Sequence, residues 1–247
     1  MTDQLKNNLS ILRKIANLED NLSINKQNEL IKKIVNYNKP GLFALLELLI
    51  ERKVKKTTNI SCIDGTIFKY LYLSKNNIIQ KRINQYFQEG VVKLESSNNI
   101  NYTDLNQSLI ANNFQKANQL TQKCLRELAG LKSPNDRQWL YFTDILNIPT
   151  KDLQTIDKLW KIYSEGQFGF SIQRNIWLYN DQNWEKLWHR IGWKINNTTV
   201  RYPNEFVWDK TAPTGHLPLF NQLRGVQVIS ALFKHPAWNT ENKLPHK

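Results

Sequence analysis

Cysteine and histidine are scarce in this 247-residue chain, and their spacing excludes the sites that they usually build. Cys62 and Cys124 lie far apart in sequence, and neither has a second cysteine or a histidine at ligand spacing. A disulfide framework and a zinc site both require such neighbours. The histidines also lack metal-ligand spacing: His189, His216, His235 and His246. We therefore expect two reduced, half-buried cysteines and no metal site.

Long hydrophobic runs are missing as well. The most apolar stretch, Gly41–Ile50, is followed directly by three charged residues and is far shorter than the roughly 18 residues that suffice to cross a bilayer. The first residues, Met1–Asn8, lack the apolar segment of a signal peptide and the Arg/Ser-rich composition of a transit peptide. We expect a protein that is not integral to a membrane and acts where it is made.

Acidic residues are outnumbered by basic ones, 21 to 34, which gives a formal charge of +13. Such a field attracts polyanions, so nucleic acid, anionic lipid, an acidic protein and a dicarboxylate ligand all remain open. Much of the charge is lysine scattered through helical patterns, as at Lys53–Lys56, which is typical of a solvated face. A basic nucleic-acid-binding module is the alternative function, although no recognised nucleic-acid motif supports it.

Helical periodicity organises the first part of the chain. Apolar residues recur every three or four positions from Leu9 to about Gln88, which predicts a small helical bundle. Within it, Asp64–Gly65 is interpreted as a break before helices over 67–73 and 78–87. The polar stretch Glu95–Asn99 then predicts a connection between domains. We place an N-terminal helical bundle at 1–95, a second domain at 96–240 and a tail at 241–247, in an all-α fold.

Helices and aromatic residues dominate the second domain. Helices are predicted over Arg137–Leu146 and Asp152–Ser164, the latter ending at Gly166. Seven of the eight tryptophans lie beyond residue 155, in a region also rich in Asn, Pro and Gly. Such a cluster is consistent with an aromatic core and equally with a ligand-binding surface.

Motifs for bond-making chemistry are weak. Asp152 and Asp157 are separated by about 140° on a helix, so a first-turn structural role for Asp152 is favoured over paired acids in a hydrolase. The loop 209–218 contains two prolines and a glycine around His216, which predicts a rigid loop. Asn221 and Arg224 follow it and could bind the carboxylates of a planar ligand that stacks on apolar side chains.

Several short sequence motifs in the second half of the chain, taken in their order, resemble those of the GUN-four (genomes-uncoupled-four) family. They are DLQTIDKLW at 152–160, YSEGQFGFSIQ at 163–173, IGW at 191–193, APTGHLP at 212–218 and NQLRG at 221–225. The resemblance covers roughly residues 100 to 238. Residues 1 to 90 also resemble the N-terminal bundle of cyanobacterial members.

The resemblance implies an all-helical core shaped like a cupped hand, which holds protoporphyrin IX or its magnesium derivative. It implies a non-catalytic regulator of chlorophyll biosynthesis that binds the H subunit of magnesium chelatase and stimulates that enzyme, in a plastid stroma or a cyanobacterial cytoplasm. Peripheral membrane association is compatible with it, and no nucleic acid is expected. The site residues that it implies are Phe142, Ile145, Tyr202, Asn221 and Arg224, to which we add Phe168, Phe170 and Trp193. Gln227 replaces a frequent second cation after Arg224, so one arginine is left for the propionates.

Overall fold

The computed structural model describes residues 3–54, 59–133, 135–219 and 226–239. The chain forms two compact units. The N-terminal unit comprises Met1–Lys93 with Ile162–Gly166, and the C-terminal unit comprises Leu94–Lys161 with Gln167–Lys247. The predicted tail at 241–247 lies outside the described residues. No helix in these ranges has the length and apolar character needed to cross a membrane.

The described residues of the N-terminal unit form five complete helices, which confirm the predicted bundle. Their bounds are α1 Asp3–Ile15, α2 Asn21–Val35, α3 Lys39–Val54, α4 Cys62–Tyr72 and α5 Asn77–Tyr86. Helix α1 buries one apolar stripe, made of Leu5, Leu9 and Leu12, whereas α4 is buried along most of its circumference. Pairing amphipathic faces is how helices this short become stable, because isolated helices of this length are marginal in water.

The predicted break at Asp64–Gly65 is wrong, because both residues lie inside α4. Asp64 is at the third helical position and its carboxylate accepts from the backbone amide of Ser61, the N-cap residue, at 2.9 Å. Gly65 is needed for close packing, because a Cβ there would lie 2.5 Å from the carbonyl oxygen of Ile162. The glycine that indicated a break therefore serves a close helix contact.

The C-terminal unit is also mainly helical, which confirms the all-α fold. Its helices are α6 Thr103–Ile110, α7 Phe114–Leu128, α8 Phe142–Leu146, α9 Thr150–Tyr163, α10 Phe170–Tyr179, α11 Trp184–Arg190 and α12 Gln227–Phe233, followed by a 3-10 turn at Pro236–Trp238. A short hairpin pairs β1 Lys194–Ile195 with β2 Thr198–Thr199, antiparallel. Its turn residues, Asn196 and Asn197, have φ of 47° and 62°, which asparagine tolerates better than most residues.

The predicted helix over Arg137–Leu146 is too long, since only Phe142–Leu146 is helical. The Arg137 guanidinium donates to both carboxylate oxygens of Asp144 at 2.8 Å, and it lies 4.4 Å from the Tyr141 ring centroid. The Tyr141 amide donates to the same carboxylate at 2.5 Å. Arg137 therefore holds the chain before α8 in a non-helical path. Its guanidinium also lowers the pKa of Asp144.

Asp152 lies in the first turn of α9, as predicted, and is fully buried. Its carboxylate accepts from the Tyr102 hydroxyl at 2.7 Å and from the Ser97 amide at 2.8 Å. Asp157 accepts from the amide of Ser171 at 2.8 Å. Both carboxylates thus fasten neighbouring segments of the C-terminal unit, which is the structural role that the sequence favoured.

Candidate functional site

The proline-rich loop at 209–218 is held by the side chain and backbone of Gln167. The side-chain amide of Gln167 donates to the carbonyl oxygens of Lys210 and Ala212 at 3.0 and 2.5 Å. The backbone carbonyl of Gln167 accepts from the backbone amide of Gly215 at 2.8 Å. Gly215 has φ of 80°, a backbone conformation that residues with a side chain rarely adopt. The rigid loop expected from its prolines is therefore fastened at three points to one glutamine.

A second glutamine fixes the end of the same loop. The Gln173 side chain on α10 is fully buried and donates to the carbonyl oxygens of Gly215 and Pro218 at 2.9 and 2.8 Å. The amide of Gly169 donates to the Leu217 carbonyl at 3.0 Å. These bonds pair backbone carbonyls that would otherwise be buried without partners.

His216, in the middle of the loop, is a structural residue. It is only 2% exposed, its Nδ1 lies 2.7 Å from the Ile191 carbonyl oxygen, and its Nε2 accepts from the Val207 amide at 3.3 Å. This pattern requires a neutral ring with the proton on Nδ1. Burial lowers the pKa of His216, which also favours the neutral ring. His216 thereby links the loop to the ends of two other segments.

Directly after the loop, Leu219 is hydrogen-bonded to two side chains of α7. The Leu219 amide donates to the Asn118 side chain at 2.8 Å, and the Leu219 carbonyl accepts from Gln122 at 2.5 Å. The described chain resumes at Val226, the N-cap of α12. Asn221 and Arg224, both predicted site residues, lie between these two points and outside the described residues.

Helix α12 packs against α8, which carries Phe142 and Ile145. The C-terminal end of α12 is fixed by Arg174, whose Nε donates to the Phe233 carbonyl at 2.7 Å. Ile145 is fully buried, whereas Phe142 is 46% exposed. Two neighbours of Phe142 that the sequence analysis missed, Tyr141 and Leu146, are also exposed. Their proximity to Phe142 in sequence was the only signal for them.

The other predicted aromatic residues divide by burial. Phe168 and Phe170 are fully buried, and Phe168 lies edge-on to the Phe114 ring with centroids 5.3 Å apart. Trp193 is 1% exposed and donates from its indole to the His216 carbonyl at 2.8 Å. Tyr202 is 45% exposed, with its ring edge-on to Trp208 at 5.9 Å. Among the predicted residues that the structure describes, Phe142 and Tyr202 are therefore those that present a ring to solvent.

Metal and thiol chemistry have no support in the described part of the chain. No group of three His, Cys, Asp or Glu side chains there could hold a metal ion. Both cysteines are buried, and burial raises the pKa of Cys124 to about 12. A thiol with that pKa is not a nucleophile at neutral pH.

Comparison with known proteins identifies both parts of the chain. Residues 95–236 match the GUN4-like family model, and residues 4–88 match the model of an ARM-like repeat domain, GUN4-N terminal. The ycf53 protein of Porphyra purpurea is 46% identical over 97% of this chain and 99% of its own length. The chloroplastic tetrapyrrole-binding protein of Arabidopsis thaliana is 35% identical over 55% of this chain and 54% of its own. The structure of GUN4 from Chlamydomonas reinhardtii superposes with a TM-score of 0.55 and 39% identity, covering 60% of this chain and 94% of that one.

Proposed function

Because this chain belongs to the GUN4-like family, we propose that it is a non-catalytic porphyrin-binding regulator. Its ligands are protoporphyrin IX and Mg-protoporphyrin IX, and it stimulates magnesium chelatase through the H subunit of that enzyme. The observation that carries the proposal is the family match over residues 95–236, together with the tetrapyrrole-binding relative. The place of action is a plastid stroma or a cyanobacterial cytoplasm, with peripheral membrane association.

We assign porphyrin binding to the domain at 96–240, and leave 1–95 as a separate N-terminal bundle. Within the domain at 96–240, Phe142 and Tyr202 contact the porphyrin plane, since both rings are about half exposed. Exposed apolar rings are unfavourable in water, and stacking on a planar ligand covers them. Asn221 and Arg224 bind the propionates. The buried members of the predicted set shape the surface from below: Ile145, Phe168, Phe170 and Trp193.

The expected affinity follows from the covered area. One porphyrin face and the matching protein surface remove on the order of 400 Å² from water, which is about 10 kcal/mol at roughly 25 cal/mol/Å². Association opposes binding by at least about 4 kcal/mol. One charge-assisted contact from Arg224 adds about 1.5 to 3 kcal/mol. The sum corresponds to a dissociation constant of about 1 µM.

Quenching of tryptophan fluorescence by deuteroporphyrin IX tests the proposal in the full chain. Phe142→Ala and Arg224→Ala should each raise the dissociation constant, the latter by about 12- to 150-fold for the loss of a contact of about 1.5 to 3 kcal/mol. Tyr179→Ala is the control for loss of an aromatic ring, because Tyr179 is 93% exposed at the end of α10. Lys132→Ala is the control for loss of one positive charge.

Two outcomes would contradict the proposal. The first is equal porphyrin affinity in Arg224→Ala and a weakened affinity in Lys132→Ala, which would mean that the general field of the protein attracts the ligand. The second is a sub-micromolar complex with duplex DNA at physiological salt, which would favour the nucleic-acid alternative. Stimulation is measured separately, as the rate of magnesium insertion by reconstituted magnesium chelatase with and without this chain.

A further inference from the structure

A cavity of about 570 Å³ lies within the N-terminal unit, among the end of α3, the start of α4 and the segment Gln85–Lys93. This volume is within the range of small-molecule sites. Its apolar lining includes Leu49, Phe87, Val91 and Val92, all of which are buried. The amide of Val91 donates to the Tyr163 hydroxyl at 3.2 Å, which fixes that part of the wall. The cavity is thus preformed and apolar at its base.

One wall of the cavity contains a buried ion pair. Arg52 donates from Nε and Nη2 to the two carboxylate oxygens of Asp64 at 2.6 and 3.0 Å. The second of these oxygens also accepts from the amide and hydroxyl of Ser61 at 2.9 and 3.2 Å. The Asp64 carboxylate is therefore occupied by internal donors, and its charge is balanced by Arg52. This wall offers no site for a cationic ligand.

The remaining charges at the cavity favour an anion. Lys53 and Lys93 outnumber Glu89 among the other lining residues, which leaves one net positive charge. The Lys53 ammonium lies 4.6 Å from the centroid of the Phe87 ring and donates to the Tyr86 carbonyl. An ammonium has three donors, and the Tyr86 carbonyl accepts one of them. Lys53 thus holds a cation beside an aromatic ring at the edge of an apolar cavity.

We propose that this cavity binds a small organic anion that carries one carboxylate on a planar apolar body. The apolar body lies against Phe87, Leu49 and Val92, and the carboxylate pairs with the Lys53 ammonium. A carboxylate that pairs with an ammonium is bound more strongly than a neutral group of the same shape. The site is independent of the porphyrin site proposed above, because all of its lining residues lie between Leu49 and Lys93.

The test uses 2-naphthoate as the probe and its neutral counterpart, 2-naphthamide, with the full-length chain. Amide resonances of Gly90, Val91 and Val92, which line the cavity, are followed by two-dimensional NMR during titration. We expect saturable shifts at these three amides, with naphthoate binding about tenfold more tightly than naphthamide. The proposal is overturned if these amides do not shift in a saturable way, or if the two probes bind equally.

A charge variant locates the anion within the cavity. Lys53→Met keeps the length of the side chain and should raise the dissociation constant for naphthoate about tenfold, to that of naphthamide. Lys33→Met is the matched control, because Lys33 is also an exposed lysine in the last turn of a helix in the same unit, and it should leave both constants unchanged. Lys53→Arg should restore the preference for naphthoate.

Far-UV circular dichroism establishes that each variant is folded, and Lys53→Gln replaces Lys53→Met if the latter is not. With either variant, a preference for naphthoate that stays at tenfold overturns the assignment of the anion to the mouth of this cavity.

Discussion

Replacing Gln173 by methionine tests whether this side chain holds the loop at 209–218. Methionine has a similar length and is tolerated in helices, so α10 should be preserved. The substitution removes the two hydrogen bonds from Gln173 to the carbonyl oxygens of Gly215 and Pro218. Both oxygens then lack the donor that pairs them in the native structure.

The size of the effect follows from three buried polar atoms. Each carbonyl left without a partner costs about 1 to 3 kcal/mol. In the native protein the Oε1 of Gln173 is itself buried with no hydrogen-bond partner among the described residues, and methionine removes that atom. The gain offsets roughly one of the two losses. We therefore expect the free energy of unfolding to fall by about 1 to 3 kcal/mol.

Tryptophan fluorescence measures this loss in the correct unit, because all eight tryptophans lie within the bounds of the C-terminal unit. For a domain of about 150 residues, 1 kcal/mol corresponds to a shift of about 2 to 4 °C, so the midpoint should fall by roughly 2 to 12 °C. Gln154→Met is the control, since the side chain of Gln154 donates to the Ala237 carbonyl, outside the loop, at 2.8 Å. Porphyrin affinity should fall in Gln173→Met and be unchanged in Gln154→Met. An unchanged midpoint in Gln173→Met would refute the anchoring role.

Two further predictions concern buried ionisable side chains. Burial lowers the pKa of His216 and His235 below the ordinary value, so the unfolded chain binds more protons and stability falls as the pH drops below about 6.5. Urea titrations between pH 7.5 and 5.5 should show a decline of up to about 1.4 kcal/mol per pH unit for each histidine, less steep in His216→Gln, and a flat profile would contradict this. Asp64→Asn should lower the free energy of unfolding by about 3 to 5 kcal/mol, because Arg52 is left as a buried charge without its carboxylate; urea unfolding followed by circular dichroism measures it, and a loss below about 1 kcal/mol would contradict it.

Periodicity predicted the amphipathic helices well and failed where a local signal had a tertiary cause. The predictions at 78–87 and Asp152–Ser164 lie within two residues of the ends of α5 and α9. Gly65 indicated a break, but its lack of a side chain is used for contact with Ile162. The residues before α8 have helical composition, yet the ion pair between Arg137 and Asp144 holds them outside the helix. The Gly65–Ile162 contact joins residues far apart in sequence, and helical periodicity takes no account of the pairing between Arg137 and Asp144.

The loop at 209–218 could be predicted as rigid, because prolines and a glycine restrict the backbone wherever they occur. The side chains that hold the loop in place could not be predicted in this way. Gln167 and Gln173 are ordinary amides in sequence, and only the fold brings their donors to carbonyls more than forty residues away. The role of His216 is similar, since a histidine between two prolines gives no indication that its ring will be buried against Ile191 and Val207.

The aromatic cluster shows why composition alone could not distinguish an aromatic core from a ligand-binding surface. The rings of Trp177, Trp184, Trp188 and Trp193 follow one another with centroids 4.9, 5.5 and 5.3 Å apart, and Trp193 continues to Phe206 at 6.4 Å. Trp177, Trp193 and Phe206 are buried and need no ligand to cover them, whereas Trp184 and Trp188 are half-buried. The rings of Phe142 and Tyr202, by contrast, have about half of their area left for a ligand. A substitution within the row should therefore change stability before it changes porphyrin affinity, whereas one at Phe142 should do the reverse.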